Sequence, residues 1–287
     1  MRRRSEQEMM DAILAIARED ERVRVVGLNG SRANPHARKD AFQDFDIAFL
    51  VTDMAPFLAD HSWVDVFGRR IIMQMPEAMT LYPPSLGGWF TYLMLFEDGN
   101  RIDLMLIPVK ELQKYLRNDS QTVILLDKDG HVPPLPPPDD SAYHVKKPSE
   151  GAFTDCCNEF WWVSTYVAKG LLRGELLYAA WHMEQCVRRE LLTMLSWRAG
   201  MQNGFGVSVG KCCKDLRRFL TREEWETLCL TYRLDEEKQA WQALWAAVGL
   251  FRAASRHFAQ GMGYGYPDYD EKVTRYLQGL CGMAPAP

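Results

Sequence analysis

Apolar residues recur at Met9, Ile13, Ile16 and Ala17, the spacing of one helical face, and Ser5 with Glu8 ahead of them has the pattern of a capping box. A first helix is therefore expected from Ser5 to about Glu21. The period then shortens. Val23 to Leu28 is a short β-branched apolar run and predicts a buried strand. Asn29-Gly30-Ser31 breaks it, and a polar loop carrying Arg32, Arg38 and Lys39 is expected to follow. The apolar pattern resumes as a strand over Phe45 to Val51. Further strands are predicted at Arg70 to Gln74, Trp89 to Phe96, Arg101 to Ile107 and Thr122 to Leu126. Glu97-Asp98-Gly99-Asn100 joins two of them with an Asp-Gly hairpin signal. Pro108 opens a helix that continues through Glu111, Leu112 and Tyr115.

The pattern changes at Asp127. From there to Pro148 the chain carries Pro133-Pro134 and Pro136-Pro137-Pro138, a stiff connector rather than a folded element. Beyond it come long helical runs rich in Trp, Leu and Ala: Ala152 to Gly170, Glu175 to Trp197 and Glu236 to Phe258. The expected layout is an α+β domain over 1–135, a Pro-rich linker over 136–150 and an α-helical domain over 151–287.

Composition narrows the classes of function. Of 287 residues, 47% are hydrophobic and 25% charged, an ordinary globular balance, and the net charge of −4 disfavours a general nucleic-acid binder. The seven cysteines include two adjacent pairs, Cys156-Cys157 and Cys212-Cys213, with no zinc-type spacing, and read as reduced thiols. Arg2-Arg3-Arg4 leads into polar Ser5-Glu6-Gln7-Glu8 without the apolar core of a signal peptide, and no apolar stretch is long enough for a membrane span. A cytoplasmic protein acting without nucleic acid or membrane is the expectation.

Candidate chemistry gathers in the N-terminal domain. Gly30-Ser31 follows a strand, where glycine lets the backbone approach a ligand and successive N–H groups can cradle phosphate. Twelve residues after Ser31, Asp44-Phe45-Asp46 opens the next strand. Alternation puts both carboxylates on one face and Phe45 on the other. Acids this close repel unless a cation lies between them, and hard oxygen ligands favour Mg²⁺. Asp103 lies inside an otherwise apolar strand. If that strand adjoins the first pair, Asp103 completes a three-carboxylate cluster; on an edge strand it would merely be exposed.

Gly30-Ser31, Asp44-Phe45-Asp46 and Asp103 together resemble the signature of the DNA polymerase β-like nucleotidyltransferase superfamily. Longer segments are similar to aminoglycoside 6-adenylyltransferases. They are Asn29-Gly30-Ser31-Arg32-Ala33-Asn34-Pro35, Phe42-Gln43-Asp44-Phe45-Asp46-Ile47 and Tyr92-Leu93-Met94-Leu95-Phe96, then Asp98-Gly99-Asn100-Arg101-Ile102-Asp103-Leu104, Cys156-Cys157-Asn158-Glu159-Phe160-Trp161-Trp162 and Tyr266-Pro267-Asp268-Tyr269-Asp270. The resemblance covers nearly the whole chain. It implies a polymerase β-like domain, a mixed sheet with flanking helices, followed by a helical bundle. It also implies ATP as donor, a small polycationic aminoglycoside (streptomycin, at its 6-hydroxyl) as acceptor, and antibiotic resistance as the outcome.

The resemblance further implies roles. Asp44 and Asp46 would hold one or two Mg²⁺ ions on ATP, with Gly30 and Ser31 gripping phosphates. Asp103 would serve as metal ligand or general base, with Glu97 and Asp98 as alternatives for the base. Arg32 is a candidate phosphate contact beside the turn, and Lys169 a lysine of the helical domain that reaches the triphosphate. A guanidinium-bearing acceptor calls for carboxylates and aromatic faces, and Glu159, Trp162 and Tyr166 fall on one helical face. An aromatic stripe at that spacing also builds cores. Asp268 and Asp270 are further acidic candidates. A monomer is expected. Rival readings are a nucleotidyltransferase with another acceptor, such as RNA, and a non-catalytic nucleotide binder.

Overall fold

The computed structural model describes residues 2–35 and 37–282 and divides the chain into two units, Met1–Ala142 and Tyr143–Pro287. The first unit begins where the capping pattern predicts. Ser5 Oγ accepts from the Glu8 N–H and Glu8 reaches back to the Ser5 N–H, starting helix α1 (Glu6–Glu19), whose Met9, Ile13 and Ala17 are buried. Strand β1 (Val23–Asn29) follows, then a four-residue helical turn α2 (Gly30–Ala33) where a polar loop was expected. The Asn34 N–H donates to the Gly30 carbonyl and closes the turn, and the expected polar segment carrying Arg38 and Lys39 then leads to the next strand.

Strands β2 (Phe45–Val51), β3 (Arg70–Gln74), β4 (Phe90–Phe96), β5 (Arg101–Pro108) and β6 (Thr122–Asp127) complete a six-stranded sheet in the order β3-β4-β5-β2-β1-β6. Every neighbouring pair is antiparallel except β2 and β5. β5 is therefore an inner strand, which removes the edge-strand reading of Asp103. One face of the sheet presents Phe45, Ile47, Phe49, Ile102, Leu104 and Leu106 to a core shared with α1. Helix α3 (Ala55–Ala59) follows β2, and the opposite face of the sheet packs Ala48, Leu50 and Ile107 with Leu112 and Tyr115 of helix α4 (Leu112–Asn118). Each large side chain so buried contributes roughly 1.5–3 kcal/mol, and together these fix which way every strand residue points. At Gly27 any side chain would collide with the Tyr115 hydroxyl, so the bare backbone there admits the Tyr115 ring against β1.

The second unit is helical. Ser149 caps α5 (Glu150–Leu172), followed by α6 (Leu176–His182), α7 (Arg188–Gln202), α8 (Arg222–Leu230), α9 (Glu237–Met262) and α10 (Tyr269–Cys281). The single helix expected over Glu175 to Trp197 is instead two helices joined through a π-type turn at Met183–Val187. In the core, Phe160 of α5 stacks on Phe251 of α9 with ring centroids 3.7 Å apart, and Phe153 stacks on Phe258. Buried Asp270 ties α10 to α9: it accepts from Arg252 Nε at 2.8 Å and from the Tyr266 hydroxyl at 3.0 Å, with Arg256 at 3.2 Å. None of the described helices is long and apolar enough to cross a membrane.

Candidate active site

The parallel pairing of β2 with β5 is the feature that assembles the acids. Its register sets Phe45 beside Ile102 and Asp46 beside Asp103. Stepping back one residue on each strand puts Asp44 next to Arg101. Side chains alternate, so Asp46 and Asp103 share the face opposite buried Phe45 and Ile102, and Asp44 and Arg101 share it one step nearer the strand starts. The result is a block of four charged residues at the beginning of two adjacent inner strands.

Arg101 binds this block together. Its guanidinium grips Asp103 in a fork, Nε to Oδ1 at 2.7 Å and Nη2 to Oδ2 at 2.8 Å, while Nη1 lies 3.6 Å from Asp44 Oδ2. The bond to Asp103, then the charges of Asp103, Asp44 and Asp46, outweigh burial and raise the guanidinium's proton affinity. Asp44 moves upward from the usual carboxylate range. Burial is the largest cause and Asp103's charge adds to it, against the pull of Arg101 and Arg32. A guanidinium thus lies between Asp44 and Asp103.

Among the described residues, no group of three His, Cys, Asp or Glu side chains stands close enough to hold a metal ion. The donor set nonetheless fits Mg²⁺ in kind. All three groups are hard carboxylate oxygens on neighbouring strands, and Asp44 is a carboxyl that an added positive charge would relieve.

Gly30 borders this block. Its φ of +67° lies in the left-handed region, and a methyl group there would run into the Asp46 carboxylate, so both backbone and space call for glycine. Asn29, which pairs with Asp46 in the ladder, is fixed from two sides. The Tyr115 hydroxyl donates to its Oδ1 at 2.7 Å, and its Nδ2 donates to Thr122 Oγ1 at 2.7 Å. Gln43 Nε2 donates to both the carbonyl and the hydroxyl of Ser31 at 3.2 Å. Sequence reasoning passed over Asn29, Tyr115 and Gln43. Their role follows from strand neighbours that only the fold supplies.

Arg32, expected as a phosphate contact, makes its bonds inward within the chain. Nε donates to the Asp44 carbonyl and Nη2 to the Gln43 carbonyl, both at 2.9 Å, Nη1 pairs with Glu6 at 3.0 Å, and the guanidinium lies 3.8 Å from the Phe45 ring centroid. Arg32 holds the segment that carries Asp44. Asp98 was weighed as an alternative base. It is buried and bound by Arg4 Nε at 2.6 Å and by Asn100; those bonds overcome burial and hold its carboxyl well below the usual range. A group so stabilised as an anion is a poor proton acceptor. Glu97 is exposed in the hairpin.

In the helical unit Glu159, Trp162, Tyr166 and Lys169 lie along α5. Trp162 is 60% exposed although its neighbour Trp161 is buried, while Tyr166 is half-buried against the helical core. Trp162 Nε1 donates to the Tyr166 hydroxyl at 2.8 Å, Lys169 Nζ sits 4.8 Å from the Tyr166 ring centroid, and the His182 ring meets Tyr166 edge-on at 5.4 Å. Tyr178 and Trp181 extend the patch around His182. These α6 residues escaped sequence reasoning because they read as part of one long amphipathic helix. Glu159 lies 4.0 Å from Arg189. Of the tail acids, Asp268 is exposed and paired with Lys272, while Asp270 is the buried clamp already described.

Comparison with known proteins adds a separate line of information. The family described as Streptomycin adenylyltransferase matches residues 3–280. A Bacillus subtilis (strain 168) protein named aminoglycoside 6-adenylyltransferase is 47% identical over 278 residues, spanning 96% of this chain and 98% of its own. One of the same name from Campylobacter jejuni is 46% identical over 274 residues, spanning 96% and 95%. A solved structure described as an aminoglycoside 6-adenyltransferase from Bacillus subtilis is 45% identical, with 97% and 99% coverage and a TM-score of 0.48.

Proposed function

We propose, from the premise that this chain belongs to the streptomycin adenylyltransferase family, that it transfers the adenylyl group of Mg-ATP to the 6-hydroxyl of streptomycin and so inactivates the drug. The observation that carries the reading is the in-register placement of Asp46 beside Asp103 on parallel inner strands, with Asp44 alongside and the Gly30 turn against Asp46. Mg²⁺ held by Asp44, Asp46 and Asp103 would supply charge neutralisation at the phosphates.

The chain's own residues do the rest. Gly30 and Ser31 offer backbone N–H groups to the phosphates, and the Asn29 bonds to Tyr115 and Thr122 keep that turn in place. The acceptor hydroxyl oxygen bonds to the α-phosphorus as the bond to the bridging oxygen breaks. Its proton passes to Asp103, and pyrophosphate leaves. Positioning and charge complementarity supply most of the rate in such transfers. Glu159, Trp162 and Tyr166 form the candidate acceptor face, a carboxylate followed by an exposed indole and phenol suited to guanidinium groups. Lys169 is the candidate nucleotide contact of the helical unit. Use of ATP as donor supports a cytoplasmic enzyme, and we take it to act as a monomer.

The test is pyrophosphate release from Mg-ATP with and without streptomycin, with Asp46→Asn as control. Drug-dependent release that disappears in the variant is expected. Release with a different aminoglycoside or with RNA alone would leave the transfer chemistry standing and remove the acceptor. No release with any acceptor would leave a nucleotide binder.

A further inference from the structure

Arg101 with Asp103 is an exposed arginine–aspartate contact, as Arg22 with Asp20 is, and is unlike the buried ones. Arg4–Asp98 and Arg252–Asp270 are structural clamps: the acids are 3% and 2% exposed and tie together distant segments. Arg101 differs. Its side chain is 42% exposed, and its partners Asp103 and Asp44 are 20% and 35% exposed. Water can take over each of these bonds, so breaking them leaves no stranded buried charge. Nor does the strand depend on them, since the backbone ladder to β2 and β4 holds Arg101 and its neighbours independently. Arg101 and Asp103 are two residues apart on one strand, so the fork joins no elements that the sheet has not already joined.

We propose that Arg101 is a displaceable internal cation of the acid block, a positioning residue that makes divalent-cation binding depend on nucleotide. This rests on the adenylyl-transfer reading above. In the free enzyme Arg101 neutralises Asp103 and Asp44, and a divalent cation arriving alone must compete with a positive charge already in a bidentate fork. A cation arriving with a triphosphate brings anionic oxygens that accept Arg101 once it lets go. The weakly hydrated guanidinium suits such a transfer between carboxylate and phosphate. Metal and nucleotide then tighten each other's binding, and linkage requires the effect to be reciprocal.

The experiment measures Mn²⁺ binding to the full chain by the electron paramagnetic resonance of free Mn²⁺, with and without the non-reacting analogue α,β-methylene-ATP. Wild type, Arg101→Gln and Arg101→Lys are compared. Arg101→Gln is expected to bind Mn²⁺ alone at least tenfold more tightly than wild type. The analogue should improve Mn²⁺ affinity at least fivefold less in Arg101→Gln than in wild type, while Arg101→Lys, which keeps the charge, stays nearer wild type. Mn²⁺ affinity in Arg101→Gln equal to or weaker than wild type overturns the proposal, because loss of a merely structural residue gives no tighter site. Should Arg101→Gln lose its far-ultraviolet circular dichroism, wild-type ¹⁵N NMR decides. The Arg101 Nε resonance, identified by its absence in Arg101→Lys, must shift when Mg²⁺ and the analogue are added together, and an unmoved resonance overturns the proposal. Drug-dependent pyrophosphate release by wild type is scored separately. Its failure would remove the adenylyl-transfer reading without deciding whether Arg101 competes with metal.

Discussion

Replacing Gly30 by alanine tests the geometry of the site most directly. Two effects add. An L-residue held near φ +67° is disfavoured by about 1–2 kcal/mol. The new methyl group also overlaps the Asp46 carboxylate, which must move on the order of 1 Å to regain van der Waals separation. A shift of that size at a reacting centre lowers the rate by about 100-fold, close to 2.7 kcal/mol of transition-state stabilisation. The stability term alone lowers Tm by only about 3–10 °C for a unit of this size. Gly130→Ala is the matched control, because φ there is +66° and nothing lies within 4 Å of the added Cβ. Thermal melts and steady-state adenylyl transfer on both variants separate the terms. Both should lose similar stability, and only Gly30→Ala should lose kcat/KM. A Gly30→Ala enzyme that melts lower but turns over like wild type would refute the placement of Asp46 in the reaction.

Arg32→Lys keeps the charge but cannot reach both the Gln43 and Asp44 carbonyls, so it should lower stability by about 1–2 kcal/mol, and raising ATP should not restore activity; full rescue by ATP would return Arg32 to phosphate binding. Asp270→Asn should destabilise the protein by about 3 kcal/mol at neutral pH, read from melting curves. The Asp270 carboxyl is depressed because bonds from Arg252 and Tyr266 overcome burial, so its contribution is present above an unfolded value near ~3.9 and lost as pH falls through the lower folded value. Melts from neutral pH down to about pH 3 should therefore show wild type losing more stability below about pH 4 than Asp270→Asn, and parallel acid limbs would count against this assignment. Trp162→Ala should change stability by less than about 0.5 kcal/mol because the indole is exposed, yet raise the acceptor KM about tenfold with the ATP KM unchanged. An unaltered acceptor KM removes Trp162 from the acceptor face.

Much of the first unit was legible because its signals are local. The Ser5–Glu8 cap, the strand runs and the Asp-Gly hairpin each need only a few adjacent residues. The lateral placement of Asp46 beside Asp103 was not local, since nothing near Asp103 says which strand lies next to it; the parallel pairing had to be supplied by the fold. The surroundings of Asp98 and Arg32 were hidden for the same reason. Asp98 looks like a solvated turn acid until Arg4, 94 residues away, is seen beside it. Arg32 looks like a phosphate contact until two backbone carbonyls appear within its reach. The α5 stripe was legible only up to a choice: Trp161 and Trp162 are adjacent, and periodicity alone does not say which one the core takes.

The carboxylates themselves separate structure from chemistry. Asp98 and Asp270 are the more deeply buried, yet both are held as anions because each is surrounded by donors that offset the loss of water. Asp44 moves the other way: burial is the largest cause, Asp103's charge adds to it, and the cation that opposes them is 3.6 Å off and shared with Asp103. A clamp is complete when its charges are matched, and Asp98 and Asp270 are complete. The block at the start of β2 and β5 gathers Asp44, Asp46 and Asp103 on one face, where Asp103 and Asp44 share the guanidinium of Arg101 and Asp44 stays raised rather than depressed. Added positive charge therefore gains more there than at either clamp, which is what a site for a cation-bound nucleotide requires.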